Sequence, residues 1–107
     1  MNFNEYQKKV EDTWISNPCD TERIILGICG EAGEVAEKFK KYFRGDYEND
    51  YKNFLMLVSK EIGDLEYYIA KLCNKYNLNF EEILQKNIEK LSSRKERNKI
   101  KGAGDER

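Results

Sequence analysis

The 107-residue chain contains no histidine. That absence excludes Ser-His-Asp and Cys-His catalysis, histidine-ligated zinc and the Glu-x-x-His di-iron bundle. Its cysteines, Cys19, Cys29 and Cys73, are odd in number and form no CxxC pair, which argues against a disulfide framework or a zinc knuckle. They read as inert thiols, with Cys29 and Cys73 in helix interiors. No apolar run approaches the ~20 residues needed to span a bilayer, and the opening MNFNEYQKKV lacks the charge-then-apolar order of a secretory signal. The expectation is a cytoplasmic protein that does not engage a membrane. Charge of one sign is missing too: 19 Lys and Arg against 20 Asp and Glu give a formal net charge of -1, a mixed-sign surface unlike that of a nucleic-acid binder. The chemistry left open is that of carboxylates with a metal, or of Lys, Arg and Tyr.

Proline is nearly absent, Pro18 being the only one, and the long stretches between punctuating residues favour helices over strands. Four are expected. The first runs from Glu5 to Ile15 after an Asn4 cap, with Tyr6, Val10 and Trp14 inward, and stops before Ser16-Asn17-Pro18. Asp20 caps the second, which reaches Phe43 and is ended by Arg44-Gly45. Its helical stripe is Ile25, Ile28, Ala32, Val35, Ala36 and Phe39. After a polar connection over Asp46 to Asn49, Asp50 caps a third helix reaching Tyr76, with Phe54, Leu57, Val58, Leu65, Ile69, Leu72 and Cys73 inside. Asn79, with Glu82 three residues on, starts a fourth whose apolar side is Phe80, Ile83, Leu84, Ile88 and Leu91. The fold class is therefore all-α, a four-helix, bundle-like arrangement with two long central helices. Residues 1–97 form the domain and residues 98–107 a flexible C-terminal tail.

Two acidic pairs stand out: Glu31 with Glu34, and Glu61 with Asp64. A spacing of three puts both members on one side of a helix, so two packed helices would converge four carboxylates. Each like-charge pair roughly 4 to 5 Å apart costs on the order of 3 to 4 kcal/mol at an effective dielectric of about 20. A hard divalent cation, Mg²⁺ or Mn²⁺, relieves this. The acids sit among apolar residues (ICGEAGEVA, EIGDLEYYIA) and beside Gly27, Gly30, Gly33 and Gly63. Interior helical glycine costs about 0.8 to 1.0 kcal/mol relative to alanine, so close helix approach or ligand space should compensate. A metal site and a structural polar network both satisfy these observations. Glu37 extends the first pair by another three residues, either as a secondary ligand or as a carboxylate supporting the ligands from behind.

On the fourth helix, Asn87, Lys90 and Arg94 follow i, i+3, i+7 spacing. They read either as a phosphate-binding hand, with Arg94 supplying paired donors, or as cations complementing the helix dipole. Lys38, Lys40, Lys41 and Arg44 read as a solvated face, from which Lys38 and Lys41 would be the ones to approach phosphates. Trp14, Phe39, Tyr67 and Tyr68 suit either the core or stacking on a base.

The ordered segments GEAGEVAEKFKK, KEIGDLEYYIA and NIEKLSSR resemble the all-α, MazG-like nucleoside triphosphate pyrophosphohydrolases, whose motif is ExxE, a variable spacer, then ExxD. The resemblance spans Tyr6 to Arg107, and the ending KGAGDER is similar to a glycine-aspartate-arginine tail of some members. It implies that Glu31, Glu34, Glu61 and Asp64 ligate Mg²⁺, that water is directed at the α-phosphorus of a (d)NTP, and that the monophosphate and pyrophosphate leave. It further implies phosphate contacts from Lys90 and Arg94, with Asn87 near the nucleotide. Tyr67 stands where relatives often carry Trp and is a candidate base contact, beside Trp14 from the aromatic reading above; the tail is then a flap, and the assembly a homodimer or homotetramer. Glu31 is the expected general base, with Glu34 beside it in the catalytic set. Nucleotide house-cleaning, dUTP removal and phage nucleotide metabolism are all compatible roles. A phosphoribosyl-ATP pyrophosphohydrolase, or a helical regulatory module without turnover, are the alternatives.

Overall fold

A computed structural model describes all of residues 1–107 as four helices and no strand: α1 (Phe3–Val10), α2 (Asp20–Arg44), α3 (Tyr51–Lys75) and α4 (Phe80–Glu96). The all-α class and the two long central helices are as the sequence predicts. No helix is long and apolar enough to cross a membrane.

Helix ends follow local chemistry. Gly45, at φ 90°, closes α2 in a left-handed cap that L-residues with a Cβ rarely adopt, its N–H bonding Tyr42 O at 3.0 Å. Asp50 accepts from Asn53 N at 3.0 Å to start α3, and Asn79 accepts from Glu82 N at 2.9 Å to start α4. Asp20 is the first residue of α2 rather than its cap, and its carboxylate accepts from Asn17 N at 2.9 Å.

The first helix departs from expectation at both ends. Asn2, not Asn4, caps it, accepting from Glu5 N at 2.9 Å, while Asn4 reaches across to Glu81 at 2.5 Å. The helix stops at Val10, short of Ile15. There the Thr13 hydroxyl donates to Val10 O at 3.2 Å, and a turn brings Thr13 and Trp14 back towards α3, next to Tyr67.

Helices α2 and α3 form the principal packed pair. Ile24, Phe54 and Val58 are buried between them, and at the turn end Phe54 stacks on Tyr42 at 4.3 Å and meets Phe39 edge-on at 5.0 Å. Helix α1 joins α3 to α4: Asn74 donates to Gln7 O at 2.9 Å, Phe80 N donates to Gln7 Oε1 at 2.9 Å, and Phe3 meets Phe80 at 5.6 Å. The α3 stripe faces inward as expected. On α2, Ile25, Ala32, Ala36 and Phe39 stay exposed, because this helix carries more apolar surface than α3 alone covers. Cys73 is buried, whereas Cys29 is exposed, contrary to its expected interior position.

Helix α4 packs on α1 and makes no extensive contact with α2 or α3. Its Ile88 is 60% exposed. The radius of gyration is accordingly 17.1 Å, against about 13 Å for a compact domain of this length.

Candidate metal centre and adjoining cleft

Pairing of α2 with α3 brings Glu31, Glu61 and Asp64 together, each offering a carboxylate oxygen within 4.8 Å of the others. Burial, a hydrogen bond with Glu61 and the charges of Asp64, Glu61 and Glu34 raise the Glu31 carboxyl above the ordinary glutamate value. The structure thus forms the like-charge cluster that the i, i+3 spacing predicts, with three members rather than four.

Glu34 stands outside the trio. Its Oε2 accepts from Lys38 Nζ at 3.4 Å, one helical turn on, and the same ammonium lies 3.4 Å from Glu61. Lys38 is not part of a solvated face: its side chain is only 15% exposed. Burial alone would lower its pKa, but its hydrogen bonds to Glu34 and Glu61 outweigh that and raise it. An i, i+4 Glu–Lys pair has therefore captured the fourth acid. Glu37 likewise turns to Lys40 at 3.1 Å, which lowers its carboxyl pKa.

Beside the trio lies an open cleft of about 400 Å³ lined by Thr13, Trp14, Ile15, Arg23, Glu31, Asp64, Tyr67 and Tyr68. Two sequence-predicted aromatics, Trp14 and Tyr67, meet here with ring centroids 6.2 Å apart. The Tyr67 and Thr13 hydroxyls are 2.7 Å apart. Arg23 lies over Trp14 at 4.4 Å, anchored by Asp20 at 3.0 Å and by Ile15 O at 2.7 Å. The Lys71 ammonium also lies over the Trp14 ring, 5.2 Å from its centroid. Sequence reasoning singled out neither Thr13, which reaches the cleft only through the fold-back after α1, nor Arg23 on α2, whose partners Trp14 and Ile15 O are brought to it by that fold-back. For Arg23 a usable signal existed: its i, i+3 spacing from Asp20.

Gly27 explains how Tyr68 fits. A Cβ at this position would stand 2.6 Å from Tyr68 Cγ, so the ring lies directly on α2 backbone. Gly30, Gly33 and Gly63 face open space; within the protomer, close helix approach accounts for one of the four glycines.

Asn87, Lys90 and Arg94 do not line the cleft. Asn87 is exposed on α4, while Lys90 and Arg94 converge on Asp105 of the C-terminal tail at 2.9 and 3.1 Å.

Residues 20–98 match the family model of the MazG nucleotide pyrophosphohydrolase domain. Among curated proteins, the chain is similar to the Gene 37 protein of Mycobacterium phage L5, at 35% identity over 117 aligned positions that cover 100% of each chain. No solved structure gives a significant match.

Proposed function

Because the chain belongs to the MazG nucleotide pyrophosphohydrolase family, we propose that it hydrolyses a nucleoside or deoxynucleoside triphosphate to the monophosphate and pyrophosphate with the help of Mg²⁺. One observation carries this reading: Glu31 and Asp64 belong both to the carboxylate trio and to the wall of the aromatic cleft. A nucleoside in that cleft would present its phosphates to the trio.

The donor set fits a hard divalent cation. Three carboxylates share a small volume, and a bound cation would offset their mutual repulsion. Glu31, Glu61 and Asp64 would hold the ion, with Glu34 joining only when it leaves Lys38. Such an ion, Mg²⁺ or Mn²⁺, supplies charge against the triphosphate and acidifies water.

Of the three carboxylates, Glu31 would be the one to take the proton of the attacking water, through an oxygen not committed to the ion. As the water oxygen bonds to the α-phosphorus, the bond from that phosphorus to the bridging oxygen breaks and pyrophosphate leaves. Lys38, already between Glu34 and Glu61, exchanges a carboxylate for phosphate oxygen when substrate arrives. Trp14 and Tyr67 flank the base, and Arg23 holds the Trp14 ring in place.

Lys90, Arg94 and Asn87 serve the phosphates from a second copy of the chain. The protomer exposes 8018 Å², where a compact monomer of its mass exposes about 6,200 Å². That surplus, with Leu26 and Ile88 at 70% and 60% exposure, supports a homodimer or homotetramer.

Pyrophosphate release from a panel of NTPs, dNTPs and phosphoribosyl-ATP, with and without Mg²⁺, tests the proposal. Mg²⁺-dependent release should fall at least about 100-fold in Glu61→Gln and Asp64→Asn, as expected for lost charge stabilisation, while helicity persists. A well-folded protein that turns over no member of the panel would reject the proposal in favour of a regulatory module.

A further inference from the structure

The C-terminal tail places a carboxylate where two helix-borne cations converge. Lys90 and Arg94 are one helical turn apart on α4, and both reach Asp105 Oδ1, at 2.9 and 3.1 Å. Arg94 also donates to the Asp105 backbone carbonyl. Two cations aimed at a single oxygen form an anion position, and here the chain itself fills it.

We propose that Asp105 is an internal competitor for polyphosphate, occupying the anion position of Lys90 and Arg94 until substrate phosphate displaces it. The inference rests on the assignment of those two cations to the phosphates.

Burial is strongly unequal across this contact. The Arg94 side chain is 5% exposed and that of Asp105 74%. Arg94 Nε is buried without a hydrogen-bond partner, so the guanidinium is covered yet only partly satisfied. As the tail lies, Arg94 cannot reach a phosphate from solvent. Asp105, by contrast, is solvated on its outer side, and release returns it to water at little cost. Both neighbouring cations, Lys90 first, hold its carboxyl below the ordinary aspartate range, so it is a full anion at neutral pH. It still carries one charge, whereas pyrophosphate brings several.

The tail is built to move as a unit. Arg107 ties it to itself, donating to Lys99 O at 3.1 Å, Ile100 O at 3.0 Å and Gly104 O at 2.6 Å. Its link back to α4 runs through Asn98 N to Lys95 O at 3.1 Å and Lys99 N to Arg94 O at 2.6 Å, Arg97 to Arg107 O at 2.8 Å and the Asp105 pairs. Gly102 and Gly104, at φ 136° and 86°, supply the turns. Removing the carboxylate charge therefore weakens docking without touching the helices.

The test titrates inorganic pyrophosphate, without divalent cation, into the full-length wild type, Asp105→Asn, Asp105→Glu and Lys90→Met. If the docked tail blocks most molecules, Asp105→Asn should bind roughly tenfold more tightly, since apparent affinity scales with the open fraction. Asp105→Glu should stay near wild type, and Lys90→Met should bind weakly. Hydrogen exchange across residues 98–107 should accelerate when wild type is saturated with pyrophosphate. Equal or weaker binding by Asp105→Asn, with Lys90→Met still impaired, overturns the competitor while leaving the phosphate assignment intact. Unchanged exchange in a saturated tail overturns it as well. Absence of pyrophosphate binding by both wild type and Asp105→Asn overturns the phosphate assignment beneath it.

Discussion

Gly27 on α2 lies against the face of the Tyr68 ring on α3, with Cδ1, Cε1 and Cγ all crowding the space a Cβ would need. The ring cannot simply withdraw, because Trp14 meets it edge-on at 6.1 Å and Tyr67 at 5.6 Å. Gly27→Ala gains up to about 1 kcal/mol of helix propensity but overpacks the contact, at a cost of about 1 to 3 kcal/mol. The expected result is a net loss of stability in urea unfolding and a distorted cleft. A more stable variant with unchanged near-ultraviolet circular dichroism would refute the close-approach argument.

Protonation of Glu31 sets a second expectation. Its carboxyl is raised from 4.5 in the folded protein, by burial first and by neighbouring carboxylates second. The folded state therefore holds this proton more tightly than the unfolded chain does. Glu31 contributes stability that is fully present below its unfolded pKa and lost as pH rises through the folded value. Without metal, Glu31→Gln should match wild type in mild acid and exceed it at neutral pH, measured as the difference between urea midpoints. Added Mg²⁺ at neutral pH should stabilise wild type more than the variant. The opposite pH trend in the difference would sink this electrostatic account.

Lys71 is 6% exposed, and its ammonium pairs with Glu11 at 2.6 and 3.0 Å. Glu11→Ala leaves that charge buried without its carboxylate and should cost about 2 to 4 kcal/mol. Lys71→Met replaces the ammonium with an apolar chain of similar volume and should cost less than about 1 kcal/mol. Denaturant unfolding of the two variants gives the order; the reverse order would mean that the pair itself, rather than relief of a buried charge, carries the stability.

The exposed apolar residues of α2 and α4 are, in the proposed assembly, covered by a second copy. Sedimentation of the full chain at micromolar concentration should give at least two protomers of 12.7 kDa. A stable 12.7 kDa species would remove the second copy from the phosphate-binding proposal.

Much of this was legible because it depends on neighbours in sequence. Asp50, Asn79 and Gly45 mark helix ends through their own side chains or their own φ, and i, i+3 spacing suffices to pair the acids along each helix. What required three dimensions was less accessible. Asn2 and Asn4 are equally good caps by type, and only the reach of Asn4 to Glu81 on α4 decides between them. The quartet became a trio because Lys38 competes for Glu34, and spacing alone does not say which partner wins. The position of α4 hangs on Gln7 and Phe3 contacts made across more than seventy residues, far beyond any local pattern.

Trp14 is the only tryptophan in the chain, and its indole forms part of the cleft wall beside Glu31 and Asp64. Excitation at the red edge of protein absorbance therefore reports from one place. If nucleotide enters this cleft as proposed, changes in its emission or in its quenching by small solutes track occupancy, so ligands can be ranked without labels and independently of turnover.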